Sequence, residues 1–152
     1  MNQKTFAALG LPAEQLANLE SLEYLSMTPI QAQSLPHVLQ GRDVIAQAKT
    51  GSGKTAAFGL GLVNRLDVGR FRVQSLVLCP TRELADQVAR ELRRLARYQH
   101  NVKILVLCGG APFGPQLDSL RHGAHIVVGT PGRIDEHLRK GTLQLGEVNC
   151  LV

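Results

Sequence analysis

The stretch that most constrains this chain is residues 48–55, a glycine-rich turn followed by Lys-Thr. The apolar run 43–47 before it is typical of a buried strand, and a helical pattern follows it. Strand, glycine-rich turn, Lys-Thr and helix is the arrangement of a phosphate-binding loop, whose backbone N–H groups surround an anion. Lys54 is placed to reach terminal phosphates, and the Thr55 hydroxyl to hold Mg²⁺. The other predicted contacts of the loop are Ala48, Lys49, Thr50, Gly51, Ser52 and Gly53.

Ala48 stands where the general pattern of such loops has Gly. A flexible linker is the alternative interpretation of a Gly/Ser cluster. The cluster here is short, however, and Lys-Thr follows it at the required place. These two features favour a nucleotide phosphate site over a linker.

Upstream of the loop, Gln31 has two interpretations. Thr28 can cap a helix, Pro29 suits the first helical position, and Gln31 completes a capping box, which explains this glutamine without any ligand. A glutamine amide also offers one acceptor and two donors, which can pair with the edge of an adenine ring. This segment alone leaves both roles open. Residues 1–10 are expected to be loose, and a helix is expected to follow Pro12.

Near-continuous apolar runs alternate with helical patterns along the rest of the chain. Such alternation is typical of an α/β domain, in which helices cover both faces of a mainly parallel sheet. Gly59 and Gly61 lie in one predicted helix, and close packing against the sheet would explain them. Further strands are expected at 75–79, 103–107, 125–129 and from 148 onward, and helices at 54–65, 81–97, 115–120 and 131–140.

Four polar segments follow predicted strands. Ligands of parallel sheets bind at the carboxyl ends of the strands, so these segments are expected at one end of the sheet. They combine glycine, hydroxyl and arginine groups, which suit a phosphate-rich ligand. The segments are residues 48–55, 80–83, 109–110 and 130–133.

Composition narrows the class of protein. The 152 residues suit one domain, and the net charge of +5 with a pI near 9.5 weakly favours a polyanionic partner. Cys79, Cys108 and Cys150 lie far apart in or beside apolar runs, which indicates reduced core thiols in a cytoplasmic protein and no metal site. No apolar run approaches the length of a membrane span, so no membrane partner is expected.

With these motifs in place, residues 6–152 resemble the first RecA-like domain of DEAD-box ATP-dependent RNA helicases. Ala at the first position of the loop is normal in that family. Residues 24–31 resemble its adenine-reading Q motif, with Phe6 as the upstream aromatic, although Glu23 and Met27 replace the usual Gly and Pro. The sequences of residues 78–94 and 108–114 are most similar to those of the bacterial DbpA branch of the family.

The resemblance implies ATP or ADP with Mg²⁺ as cofactors. It also implies single-stranded RNA as a partner, which the protein would contact through the RNA backbone. Residues 1–40 would form a Q-motif region and residues 41–152 part of the RecA-like domain. Thr28, Gln31 and Phe6 would contact the nucleotide, and Lys54 and Thr55 would serve catalysis. The implied RNA contacts are Pro80, Thr81, Arg82, Glu83, Gly109, Gly110, Thr130, Pro131, Gly132 and Arg133.

The resemblance also implies motifs that the 152 residues do not contain. The family's Asp-Glu-Ala-Asp motif is expected directly after Val152, and the Ser-Ala-Thr motif and second RecA-like domain would follow. Phosphoryl transfer depends on such parts, so we expect no ATPase or helicase activity from this chain alone. A strand after the acidic motif would pair with the strand before the loop. We therefore expect the 152-residue chain to be marginally stable or to pair with another copy.

Two other functions compete with an RNA helicase, for which ribosome assembly is the expected process. One is a non-catalytic module that binds adenine nucleotides. The other is a small P-loop kinase or GTPase, which would leave the segments 80–84 and 130–133 unexplained.

Overall fold

A computed structural model describes residues 5–152, which divide into two compact units. Unit 1 contains the residues up to Arg65 together with Arg94–Tyr98. Unit 2 contains Leu66–Arg93 and Gln99–Val152. In the part of the chain described, no helix is long and apolar enough to cross a membrane, and no group of three His, Cys, Asp or Glu side chains could hold a metal ion.

Unit 1 is helical. A short 3-10 helix at Phe6–Leu9 precedes α1 at Ala13–Ser21, α2 at Pro29–Leu39 and α3 at Lys54–Asn64. The expectation that residues 1–10 are loose is therefore wrong for the 3-10 helix, and residues 1–4 lie outside the described part. The reason is an aromatic contact, since Phe6 is 4% exposed and packs edge-to-face against Tyr24 with 6.0 Å between ring centroids.

The helices α2 and α3 pack closely. A Cβ on Gly61 of α3 would lie 2.2 Å from Cγ1 of Val38, so only glycine fits at this contact without movement. The close partner of Gly61 is thus α2 rather than the sheet that the sequence suggested. α2 also continues through Pro36 to Leu39.

The strand predicted at residues 43–47 is absent. These residues have no regular secondary structure, and Ile45 is fully exposed. An apolar run becomes a strand only where a neighbouring strand accepts its backbone hydrogen bonds, and none does so here. This correction removes the strand from the predicted strand–loop–helix arrangement and leaves the loop and the helix.

Unit 2 contains a four-stranded parallel sheet in the order β2-β3-β1-β4. Its strands are β1 at Ser75–Leu78, β2 at Ile104–Leu107, β3 at Ile126–Gly129 and β4 at Cys150–Leu151. Leu78 of β1 and Leu107 of β2 both pair with Gly129 of β3, so three neighbouring strands end in register. The first three strands match the predicted runs to within a residue, and β4 lies inside the predicted run from 148 onward.

Three further helices follow these strands, α4 at Arg82–Leu95, α5 at Phe113–His122 and α6 at Pro131–Arg139. α5 begins two residues before the predicted Pro115, because Pro112 supplies the residue before its first turn. The interior contains the apolar side chains of Val73, Leu76, Leu107, Val127, Ile134 and Leu143.

Candidate functional site

The predicted phosphate-binding loop has the backbone of an anion cradle. Gly51 and Gly53 have φ angles of 79° and 88°, in the left-handed region that favours glycine, and α3 begins directly after them. A Cβ on Gly51 would meet nothing within 4 Å, so space lies open beside this residue. The loop therefore places backbone N–H groups and a helix N-terminus beside open space, as a phosphate group requires.

Lys54 bends back onto the loop in this structure. Its ammonium group donates to the carbonyl oxygen of Ala48 and, at 3.0 Å, to that of Lys49. The buried hydroxyl of Ser52 has no hydrogen-bond partner among the described residues. A cation held only by carbonyl oxygens, beside an unsatisfied hydroxyl, fits a phosphate ligand, which would supply partners to both. Thr55 is half-buried on the first turn of α3, and its contact with Mg²⁺ stays a prediction.

Gln31 joins the start of α2 to the loop. Its Oε1 accepts from the Thr28 N–H at 3.0 Å, and the Gln31 N–H donates back to the Thr28 hydroxyl, so the predicted capping box is confirmed. The Gln31 Nε2 donates to the carbonyl oxygen of Gly53 at 3.1 Å. Gln31 is 1% exposed and its amide is oriented by protein groups, while its contact with adenine stays a prediction.

Three of the four polar segments lie at one end of the sheet in unit 2. Residues 80–83 follow β1, residues 109–110 follow β2 and residues 130–133 follow β3, and these strands end in register. The prediction that these three segments lie at the same end of the sheet is confirmed. The fourth, residues 48–55, belongs to unit 1 and follows no strand.

Arg82 and Gly110 lie close together within this end of the sheet. A Cβ on Gly110, whose φ is 81°, would come within 2.8 Å of the Arg82 Nη1. The Thr81 hydroxyl accepts from the Leu84 N–H at 3.2 Å and caps α4. The remaining residues of these segments that are exposed to solvent are Pro80, Glu83, Gly109, Pro131 and Gly132.

Arg133 is turned inward. Its Nη1 donates to the carbonyl oxygen of Ala111 at 2.8 Å and to Gln116 Oε1 at 3.0 Å, and its Nε pairs with Glu136 at 3.0 Å. Only 13% of the side chain is exposed. Thr130 precedes α6 and Pro131 as Thr28 precedes α2 and Pro29, but its side chain makes no cap hydrogen bond. The contact of Arg133 with a phosphate stays a prediction.

Sequence inspection missed two polar side chains in this region, Gln116 and His137. Both are buried, at 7% and 0% exposed. A signal was present, because His137 follows the core residue Ile134 by three positions and Gln116 precedes Leu120 by four, which are spacings of one helix face. A polar residue at a core-facing position must find hydrogen-bond partners, and both do.

Cys79 lies between β1 and residues 80–83. Burial, and secondarily the neighbouring Cys108, raise the pKa of the Cys79 thiol, which keeps it protonated at neutral pH. None of the three cysteines forms a disulfide; Cys79 and Cys108 are buried, as predicted for core thiols, and Cys150 is partly buried.

Comparison with known proteins gives relatives over nearly the whole chain. A family model described as DEAD/DEAH box helicase matches residues 28–152. ATP-dependent RNA helicase DbpA of Escherichia coli (strain K12) is 65% identical over 142 residues, which are 93% of this chain and 31% of that protein. ATP-dependent RNA helicase DeaD of Klebsiella pneumoniae is 49% identical over 150 residues, 99% of this chain and 23% of that protein. The chain thus spans less than a third of the length of these relatives.

Solved structures also resemble this chain over nearly its whole length. A DEAD box protein from the hyperthermophile Methanococcus jannaschii superposes with a TM-score of 0.89 at 39% identity, over 95% of this chain and 39% of that one. S. cerevisiae Dbp5 bound to RNA and ADP BeF3 superposes with a TM-score of 0.85 at 28% identity, over 95% of this chain and 36% of that one. The predicted α/β, RecA-like fold and the resemblance to the DbpA branch are therefore confirmed, and the chain belongs to the DEAD/DEAH box helicase family.

Proposed function

We propose that this chain is the ATP- and RNA-binding N-terminal domain of an ATP-dependent RNA helicase. The full-length protein would couple ATP binding and hydrolysis to local unwinding of RNA duplexes, in the cytoplasm and in ribosome assembly. The observation that carries the proposal is the side chain of Gln31, which connects the start of α2 to Gly53 of the phosphate-binding loop. Because that contact fixes Gln31 against the loop, a base bound at Gln31 would lie next to the phosphates bound at the loop.

In the proposed nucleotide site, Lys54 holds the terminal phosphates and Thr55 holds Mg²⁺. The loop residues Ala48, Lys49, Thr50, Gly51, Ser52 and Gly53 supply backbone contacts. Thr28 and Gln31 face the adenine, whereas Phe6 would support this region through its packing against Tyr24. Phe6 is too deeply buried in this structure to stack on a base without moving.

In the proposed RNA site, segments 80–83, 109–110 and 130–133 contact the phosphates and sugars of one strand. Their exposed glycines and the capped start of α4 offer backbone N–H groups, and Arg82 offers a cation. Contacts of this kind position a strand without reading its sequence.

Hydrolysis of ATP is a separate property from binding of ATP. The Asp-Glu-Ala-Asp sequence does not occur among these 152 residues, and its acidic pair would position Mg²⁺ and the attacking water. We propose that the 152-residue chain binds nucleotide and RNA without hydrolysing ATP, and that hydrolysis needs the acidic motif and a second RecA-like domain. Steady phosphate release by the purified chain would contradict this.

The edge of β4 supports association with a second copy. Among the strands of the described residues, β4 pairs only with β1, and Leu151 is 66% exposed at that edge. An exposed apolar edge strand is a template for pairing with another chain. Analytical sizing at rising concentration would show a dimer, and a monomer at every concentration would contradict self-association.

The experiment that tests the nucleotide site is a titration with fluorescent ADP, competed with unlabelled ADP and GDP. Gln31→Ala should weaken ADP binding about 10- to 100-fold, because paired hydrogen bonds to a base edge contribute about 1–3 kcal/mol of discrimination. Gln33→Ala is the matched control, because this glutamine lies on the same helix and is exposed.

The outcomes separate the alternatives. Displacement by ADP alone, lost in Gln31→Ala and kept in Gln33→Ala, supports an adenine site. Equal displacement by ADP and GDP would retain the phosphate loop but refute the adenine role, and would favour another P-loop NTPase. ADP binding without any affinity for RNA would favour the non-catalytic nucleotide-binding module.

A further inference from the structure

A buried cluster of polar side chains lies beneath the proposed RNA site. It consists of Gln116 on α5, His137 and Arg133 on α6, and Thr142 after α6, and is called the Gln116 cluster below. The Gln116 Nε2 donates to the carbonyl oxygen of Cys108 at 3.0 Å, and its Oε1 lies 2.8 Å from His137 Nε2 and 3.0 Å from Arg133 Nη1. His137 Nδ1 lies 2.7 Å from the Thr142 hydroxyl.

The chemistry of the partners fixes the orientation of the Gln116 amide and the proton on His137 Nε2. Arg133 can only donate and the Cys108 carbonyl can only accept, so the Gln116 amide has one permitted orientation. Its Oε1 then requires a donor from His137, which places the proton on Nε2. In the neutral ring, Nδ1 can only accept. The Thr142 hydroxyl lies 2.7 Å from this Nδ1 and 3.1 Å from the His137 carbonyl oxygen, so its one proton serves two acceptors.

Packing closes the cluster against water. The Phe113 ring stacks on His137 with 4.2 Å between centroids and 14° between planes, and the Lys140 ammonium lies 4.3 Å from the Phe113 centroid. Arg133, Glu136 and Lys140 are the charged groups whose fields act on His137. Burial and the nearby Arg133 lower the pKa of His137, which favours the neutral ring at neutral pH.

The cluster connects two segments of the proposed RNA site. Cys108, whose carbonyl oxygen Gln116 holds, directly precedes Gly109 and Gly110. Arg133, which Gln116 also holds, ends segment 130–133 and in addition donates to Ala111. A single amide thus sets the glycine turn after β2 and the first turn of α6 relative to each other.

We propose that Gln116, supported by His137, is a positioning residue for RNA binding, which holds Arg133 and the Gly109–Gly110 turn in the geometry that receives the RNA backbone. This inference rests on the proposed RNA site. Gln116 and His137 themselves are buried and do not contact RNA, so they act through those two segments. Misplacing donors by a fraction of an ångström is enough to weaken charge-assisted hydrogen bonds.

The test uses the 152-residue chain with two variants of Gln116. Gln116→Met keeps the volume but removes every hydrogen bond. Gln116→Glu keeps an oxygen that accepts from Arg133 and His137. It replaces the Nε2 donor with a second oxygen, which cannot donate to the Cys108 carbonyl, so it selectively breaks the connection to the glycine turn. Gln144→Met is the matched control, because this glutamine is exposed and donates only to the nearby Gly141 carbonyl.

Three readouts are measured. Fluorescence anisotropy of a labelled single-stranded oligouridylate reports RNA affinity, competition of fluorescent ADP reports the nucleotide site, and ¹⁵N spectra report the Gly110 amide and the Arg133 Nε–H. We expect Gln116→Met to weaken RNA binding about 10-fold and Gln116→Glu about 3-fold, with ADP affinity within about twofold in both. The Arg133 Nε–H signal should shift in Gln116→Met and stay in Gln116→Glu, whereas the Gly110 amide should shift in both.

Two results would overturn the positioning role: parent-like RNA affinity in Gln116→Met with a preserved fold, or equal losses of RNA and ADP binding, which indicate general destabilisation. If the parent chain binds ADP but no RNA, the proposed RNA site is refuted instead. The ¹⁵N spectra still decide in that case, because unchanged Arg133 and Gly110 signals in Gln116→Met would show that Gln116 positions neither segment.

Discussion

The packing of α2 against α3 can be tested by adding a methyl group at Gly61, which would clash with the Val38 side chain. A Cβ on Gly61 would lie 2.2 Å from Val38 Cγ1, and the next neighbour, the Val38 Cβ, lies at 3.6 Å. Gly61 is not among the glycines with positive φ, so the helix backbone itself accepts alanine. In Gly61→Ala, therefore, only the Val38 side chain has to move.

The expected magnitudes follow from these distances. Overpacking a core contact costs about 1–3 kcal/mol, while replacing Gly by Ala inside a helix gains about 1 kcal/mol, so Gly61→Ala should lose about 0–2 kcal/mol. Val38→Ala removes two half-buried methyl groups and should cost about 1 kcal/mol. The double variant removes the clash and keeps the helical gain, so its stability should lie within about 0.5 kcal/mol of the parent chain.

The assay is urea unfolding of all four proteins, followed by far-ultraviolet circular dichroism. The double-mutant cycle should give a coupling energy of about 1–3 kcal/mol in favour of the double variant. Single changes that add within about 0.5 kcal/mol would refute the reasoning, because they would show that Val38 and Gly61 are not in contact. Since α2 carries Gln31 and α3 carries Lys54, we also expect Gly61→Ala to weaken ADP binding and Val38→Ala to restore it in the double variant.

Three further predictions concern single sites. Gly53→Ala should destabilise the chain more than Gly51→Ala in thermal melts, because both have positive φ but only a Cβ on Gly53 would meet Gln31, at 2.4 Å; equal losses would contradict the contact. Asn18→Ala should cost about 1–3 kcal/mol in urea, because its amide donates to the Arg94 and Leu95 carbonyls at the end of α4; a parent-like midpoint would count against this. The lowered pKa of His137 means that the unfolded chain takes up a proton near the ordinary value of 6.5 while the native ring stays neutral, so stability should fall as the pH drops below 6.5. His137→Phe should flatten that fall between about pH 7 and 5.5, and an unchanged slope would show that other groups cause it.

Local signals in the sequence were enough for most elements of the fold. The cap at Thr28 was predictable because all of its hydrogen bonds lie within four residues of chain. The strands β1, β2 and β3 were predictable because they are nearly continuous apolar runs, as a strand buried on both faces requires. Both the cap sequence and the apolar runs are local, so they can be recognised without knowing which segments pack against them.

The misses depend on neighbours that a single segment does not reveal. Residues 43–47 have the same apolar character as β1, yet no strand pairs with them and Ile45 faces solvent. Leu84 shares the helical spacing of the buried Val88 and Leu92 of α4, yet it is 39% exposed, whereas Ala85 is fully buried. Phe6 is ordered by a ring 18 positions away in sequence.

The candidate site shows the same division. The chemistry of the loop could be read from its residue types, because glycine, lysine and threonine at that spacing serve few other purposes. The inward turn of Arg133 could not, since it depends on Ala111 and Gln116, which approach it only after α5 and α6 have packed. An arginine beside a helix start predicts an anion contact equally well whether its guanidinium is free or already held by the protein.

The state of Lys54 leads to a last prediction, on the ionic strength dependence of nucleotide binding. Its ammonium donates to two loop carbonyls and pairs with no carboxylate among the described residues, so its charge is not neutralised by the protein. A diphosphate would exchange these neutral acceptors for charged ones, which form hydrogen bonds about twice as strong. Because that gain is electrostatic, ADP affinity should fall as salt rises, while adenosine affinity should barely change. Equal salt dependence of ADP and adenosine, measured by competition against the fluorescent nucleotide, would mean that Lys54 remains on the loop carbonyls when the ligand binds. The phosphates would then be held by backbone N–H groups alone.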